Sequence, residues 1–256
     1  MGLTIHYQLK AKGNETDARR LVTSLHQAAH DLPFQELGEI VEVSGDGCDY
    51  NQRTREDPLR WLLIQAQASV SLEHLPGESK FSSRRISPTR MIAFTAWPGE
   101  GCETSNFGLC QYPAQTTDPR HGRIKTNLPG WHWSSFCKTQ YASDPGCGGI
   151  THFLQCHLSV IALLDKVKQF GCLDSVSDEG GFWEQRNVEV LVNEIGSWNE
   201  MIAAFGGKLK DVFGDGLKMP ISEYPNVELL ELAGQSQLPP GFEKLVKLIK
   251  QVSQKS

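Results

Sequence analysis

Leu3-Thr4-Ile5-His6-Tyr7-Gln8-Leu9-Lys10 alternates apolar and polar side chains without a break, setting Leu3, Ile5, Tyr7 and Leu9 against Thr4, His6, Gln8 and Lys10. This two-residue period marks a strand with one face in a core and the other in water. A run of helical spacing follows: Thr16 and the acidic Asp17 start it, Ala18, Leu21, Val22, Leu25, Ala28 and Leu32 form its apolar stripe, and Pro33 stops it. A half-buried strand followed by an amphipathic helix is the beginning of an α+β fold, with the helix packed on the strand's apolar face.

Reading outward, residues 40–43 form a second strand closed by Ser44-Gly45-Asp46-Gly47. From Leu62, apolar Ile64, Ala66, Ala68, Val70 and Leu72 alternate with Gln65, Gln67, Ser69 and Ser71, which predicts a third strand with one wet face. Pro76-Gly77, Ser82-Ser83 and Ser87-Pro88 make residues 73–90 a long connection. Residues 91–97, apolar on both faces, read as a central strand ended by Pro98-Gly99-Glu100-Gly101, with a short strand near residues 107–112.

The second half begins with a predicted strand over residues 131–141 that places Trp131, Trp133, Ser135, Cys137, Thr139 and Tyr141 on one face. After the loop Asp144-Pro145-Gly146-Cys147-Gly148-Gly149, residues 151–170 are apolar around most of a helix and therefore belong in the interior. A strand over 173–177 precedes a helix striped by Val188, Leu191, Val192, Ile195, Trp198, Ile202 and Phe205, which Gly206-Gly207 should stop. Residues 242–252 read as a last amphipathic helix.

This order predicts an α+β fold, an antiparallel sheet with helices packed on one face, as two ferredoxin-like (βαββ) halves would produce. The halves would be residues 1–118 (βαβββ) and 119–256 (βαβα with the C-terminal helix), or the chain would be one continuous domain. Ile40-Val41-Glu42-Val43-Ser44-Gly45-Asp46-Gly47 and Asp174-Ser175-Val176-Ser177-Asp178-Glu179-Gly180-Gly181 each follow a helix and echo each other loosely. In element order the arrangement resembles GyrI-like and SOUL-type modules, a resemblance that implies a small molecule held between two halves.

With 256 residues, 39% of them hydrophobic and 21% charged, the chain can bury a full core without cross-links. A net charge of −5, with only Arg84, Arg85 and Arg90 clustered, argues against a nucleic-acid partner. The N-terminal residues lack the basic start and apolar run of a signal peptide, and the apolar stretch 61–72 is interrupted by Gln65 and Gln67, so neither export nor a membrane partner is expected. Seven cysteines at irregular spacing suit reduced thiols in a cytoplasmic protein.

Reactive side chains are densest between Cys137 and Glu179. A cysteine nucleophile there would be Cys137, with His152 as base and Asp178 as its orienting carboxylate. A zinc ion would use Cys147, His152 and Cys156, with His157 or Cys137 as fourth ligand, since thiolates and imidazoles suit tetrahedral zinc. Against zinc, no tight Cys-x-x-Cys pair exists, and Cys156 falls in line with Val160, Leu163 and Val167, where cysteine packs as a small apolar residue. Asp178-Glu179 before Gly180-Gly181 reads most simply as a solvated turn.

Aromatic residues with polar tips accumulate at Trp97, Trp131, Trp133, Tyr141 and Trp183, the composition of a ligand pocket as well as of a plain core. The leading expectation is a binding module, for a small molecule or a partner protein, whose pocket those five residues line. The alternative is a cysteine- or zinc-dependent hydrolase or transferase using the 137–179 region. Sequence leaves open whether the protein is an enzyme.

Overall fold

A computed structural model describes residues 3–72, 83–213 and 227–234. The helix expected at 242–252 and most of the connection expected at 73–90 lie outside them. The opening strand, β1 (Thr4–Ala11), buries Ile5, Tyr7, Leu9 and Ala11 and exposes His6, Gln8 and Lys10. It lies between β10 (Trp131–Lys138) and β11 (Leu173–Asp178), antiparallel to both. Register sets Ile5, Tyr7, Leu9 and Ala11 opposite Cys137, Ser135, Trp133 and Trp131, all buried, so two strands present one continuous inner face.

The remaining strands of this sheet are β2 (Glu36–Leu37), β3 (Val41–Ser44), β6 (Arg90–Trp97) and β7 (Ser105–Gln111). Their order is β11-β1-β10-β7-β6-β2, with β3 also on β6, and every pairing is antiparallel. β1 is thus enclosed by strands from beyond residue 118, so the sheet runs across that boundary. β6 is buried on both faces, as its sequence predicts. Two separate hairpins complete the strands: β4 (Ala68–Ser71) with β5 (Ser83–Ile86), and β8 (Gln115–Asp118) with β9 (Gly122–Lys125).

Helix α1 (Glu15–His30) is capped by Asn14 and Asp17 in a reciprocal pair of side chain to backbone bonds, two residues earlier than the Thr16 start expected, because Asn14 supplies the acceptor. It buries Ala18, Val22, Leu25 and Ala29 and sets His26 edge-on against Phe94 of β6, 4.9 Å between ring centres. Alongside it packs α3 (Gly149–Gln169), whose Val160, Ile161, Leu163, Leu164 and Val167 join the same core. Both helices cover the inner face. Beyond β11 come α4 (Phe182–Gln185), α5 (Val188–Phe213) and α6 (Val227–Gly234). α5 runs through Gly206-Gly207, and its packing on α6 outweighs the roughly 1 kcal/mol that each helical glycine costs. Among the described residues no helix is long and apolar enough to cross a membrane.

The strand expected from Leu62 is a correction. Its first residues belong to helix α2 (Pro58–Gln65), started by Pro58 in the first turn and by Asp57, whose side chain accepts from Leu59 N at 2.9 Å. Only Ala68–Ser71 is strand. The alternation there is shared by a helix that buries Leu62 and Leu63 together, and a strong start signal outranks a period read across its end. The strand expected over 131–141 likewise ends at Lys138, and Gln140–Ser143 turn as a 3-10 helix.

Phe107 of β7 lies between Tyr7 and Phe94, with ring centres 4.9 and 5.9 Å away. Replacing it by Ala removes the ring that joins β1 to β6 across the inner face. Phe107→Ala is expected to lower unfolding free energy by about 3–5 kcal/mol, read from urea melts; a loss below about 1 kcal/mol would show this aromatic row to be peripheral.

Candidate functional site

β7 and β10 pair only through Trp131↔Gln111 and His132↔Cys110. They meet again where Glu103 N donates to Lys138 O at 2.9 Å and the Cys137 thiol to Glu103 O at 3.1 Å. Between these points the sheet is split, and side chains do the work of the missing ladder: Tyr7 Oη and Trp133 Nε1 both donate to Asn106 O at 2.8 Å. Gln65, at the end of α2, reaches in from the other side, its Oε1 accepting from Asn106 Nδ2 and from Ser135 Oγ. Burial and the nearby Cys137 raise the Tyr7 phenol above its ordinary value, so this donor keeps its proton.

Outside the split lies an open cleft of about 1280 Å³. His6 and Gln8 of β1, Ser134 and Phe136 of β10 and Ser175 and Ser177 of β11 form its floor, the polar face that strand alternation leaves exposed. α2 supplies Trp61 and Gln65 as one wall, with Ser69 of β4 and Arg85 of β5 beside them. Trp97, Glu36, Glu103 and Thr104 line another wall. Trp61 is 63% exposed and Phe136 40%, so two partly open apolar rings, Trp61 in the wall beside Arg60 and Phe136 in the floor beside His6, line the cleft together with hydroxyl and amide groups.

Of the five aromatics expected to line a pocket, Trp97 alone lines this cleft, and Cys102 O fixes its indole by accepting from Nε1 at 3.1 Å. Trp131 and Trp133 are core residues, at 1% and 2% exposure. Tyr141 sits outside under the Lys138 ammonium, 4.6 Å from its ring centre. Trp183 lies under Arg186, whose guanidinium is 4.4 Å from the ring centre and also bonds Asp165 through both nitrogens.

Cys137, His152 and Asp178 each bond to other groups. Cys137 is fully buried, and burial raises its thiol. His152 Nε2 lies 3.0 Å from Glu100 O and 3.5 Å from Cys156 Sγ, while Cys147 ends a 3-10 helix before α3. Among the described residues no group of three or more His, Cys, Asp or Glu side chains is arranged to hold a metal ion. Sequence reasoning passed over Gln65, Trp61 and the Ser134, Ser175 and Ser177 floor, because isolated polar residues on wet strand faces carry no motif.

Asp178 instead joins a buried chain. Thr139 Oγ1 lies 2.9 Å from His157 Nδ1, and His157 Nε2 lies 3.3 Å from Asp178 Oδ2. Asp178 also accepts from Gly180 N at 2.8 Å and Trp183 N at 2.9 Å, so within the turn expected to be solvated this carboxylate is buried while Glu179 beside it is exposed. The order hydroxyl–imidazole–carboxylate is that of a nucleophile, base and orienting group. Thr139 and His157 have no exposure, however, and none of the three lines the cleft. The chain ties the end of β10 to α3 and β11. Burial alone would raise the Asp178 carboxyl, but the His157 bond and the two backbone N–H groups outweigh it and the carboxyl is lowered.

A depressed carboxyl stabilises the fold fully above its unfolded value of ~3.9 and loses that contribution as pH falls through the lower folded value. Asp178→Asn should therefore lower stability by about 2–3 kcal/mol at pH ~7, with the gap closing in strong acid. Urea melts of both proteins across pH measure it; a gap that persists unchanged in acid would assign the loss to packing.

Comparison of the chain with protein-family models, with curated proteins and with solved structures found no match in any of the three, so the site is read from its own geometry.

Proposed function

We propose that the protein is a binding module for a small polar organic molecule, seated in the cleft over the wet face of the sheet. The cleft itself supports this reading: about 1280 Å³ of concave surface, against about 300–1,000 Å³ for ordinary small-molecule sites, has room for an elongated ligand. Gln8, Ser134, Ser175 and Ser177 each both donate and accept, which matches a ligand rich in hydroxyl or amide groups. Trp61 and Phe136 offer ring faces for its apolar side.

Charge argues against nucleic acid, since among the described residues Arg85 is the one Lys or Arg lining the cleft. A reducing compartment, the cytoplasm, suits a protein whose seven cysteines are all free.

Screening a library of neutral polar metabolites by thermal shift should find compounds that raise the melting temperature of the native protein. Trp61→Ala, at an exposed position, should change stability by no more than about 0.5 kcal/mol yet weaken the best compound about tenfold or more by titration calorimetry. Stabilising compounds whose affinity ignores Trp61→Ala would place binding elsewhere, and a library without hits that also leaves the Trp61 emission unmoved would sink the reading.

A further inference from the structure

Trp97, at the end of β6, stands between two carboxylates. Glu36 of β2 is its cross-strand partner, so the two side chains leave the same face of the sheet as neighbours. On the other side the indole Nε1 donates to Cys102 O at 3.1 Å, and Glu103 follows, its own N donating to Lys138 O at 2.9 Å. Glu36, Trp97, Glu103 and Thr104 all line the cleft.

Both glutamates are exposed, and among the described residues neither has an ion pair. Elsewhere the molecule gives arginine partners to surface carboxylates: Arg19 to Glu15 and Glu42, Arg84 to Asp118, and Arg186 to Asp165. Lys138, whose carbonyl holds Glu103, turns its ammonium to Tyr141 instead, with Nζ 4.6 Å from the ring centre. Arg85 lines the other wall, beside α2. The Trp97 wall therefore carries two negative charges around an aromatic ring, in a cleft with room for a ligand beside them.

We propose that this wall binds a protonated amine, so that the ligand of the cleft carries an ammonium group on its hydroxyl- or amide-bearing body. The inference rests on the cleft being the binding site. An ammonium has three N–H donors and no acceptor, and Glu36, Glu103 and the Thr104 hydroxyl offer it acceptor oxygens, while the indole attracts the same charge through its π face. A divalent metal ion suits the wall less well, since it needs about six oxygen ligands, and among the described residues no group of three or more His, Cys, Asp or Glu side chains is arranged to hold one. Arg85 repels an ammonium, so the two walls together orient the ligand. Exposed ion pairs and cation–π contacts each contribute at most about fivefold in affinity, so the amine should be preferred over a neutral counterpart by about tenfold, and salt should screen that preference.

The test compares aminohexanol with hexanediol, linear probes that differ by an ammonium in place of one hydroxyl, in ligand-observed NMR titrations of the full chain at low salt. The amine is expected to bind about tenfold more tightly than the diol. Glu36→Gln combined with Glu103→Gln should remove that preference and leave the affinity of the diol unchanged, and about 0.5 M sodium chloride should reduce it to less than about threefold. Trp61→Ala should weaken both probes alike, because it reports on the cleft and not on the charge of the ligand. Equal affinities, a preference that survives the double variant, or an amine that fails to bind would each overturn the proposal. If both probes bind equally and both weaken in Trp61→Ala, the cleft stands and its amine subsite falls. If the preference follows the two glutamates while Trp61→Ala changes neither probe, the amine subsite stands and the part given to Trp61 fails.

Discussion

The carbonyl of Asn106 accepts from Tyr7 Oη and Trp133 Nε1, and much of the molecule is organised around that double bond. A backbone carbonyl left without a partner in a buried sheet costs a few kcal/mol. Two adjacent strands that separate after two residue pairs expose just such groups. Large side chains with polar tips resolve the problem, since each fills the gap with a ring and ends in a donor. Tyr7 can serve only because β1 is in register with β10 to within one residue; a one-residue slip would turn it to water and bring His6 inward.

The same split sets the position of the cleft. Gln65 bonds to both Asn106 and Ser135 across the gap, anchoring the end of α2 at the split. With that end fixed, Trp61 one turn earlier stands over the floor made by β1, β10 and β11. Tyr112 Oη holds the next residue, Ala66, through its carbonyl at 2.7 Å, so α2 is tied at its end to β7 and to the chain just beyond it. A rigid wall over an open polar floor follows from satisfying the carbonyl and amide groups of a split sheet.

How far sequence reached can be judged element by element. β1 and α1 were legible because each shows a single uninterrupted period with one face in a core, and β6 and α3 because each is an almost continuous apolar run. α2 was not, because its end and β4 join into a false two-residue alternation. Site residues were harder. Trp131 and Trp133 looked like a pocket because ring composition cannot tell a pocket from a core; the distinction is whether another layer covers that face, and α1 and α3 do. The cleft floor drew no attention because Ser134, Ser175 and Ser177 become a surface only when β10, β1 and β11 are placed side by side.

The reactive residues between Cys137 and Glu179 are dense in sequence, and burial decides which of them bond to one another. Asp178 and His157 are closed in together, so the carboxylate finds its partner there and in two backbone N–H groups, and its chemistry is spent on holding β11 to α3. Cys137 faces a backbone carbonyl and is enclosed by the core, which leaves its thiol protonated and inert. His152 and Cys156 lie one helical turn apart on α3, where the chain arriving from β6 crosses them, and their neighbour comes from outside the dense segment altogether. The turn that carries Cys102 packs against the cluster containing Cys156, and only glycine at position 99 lets it approach the helix.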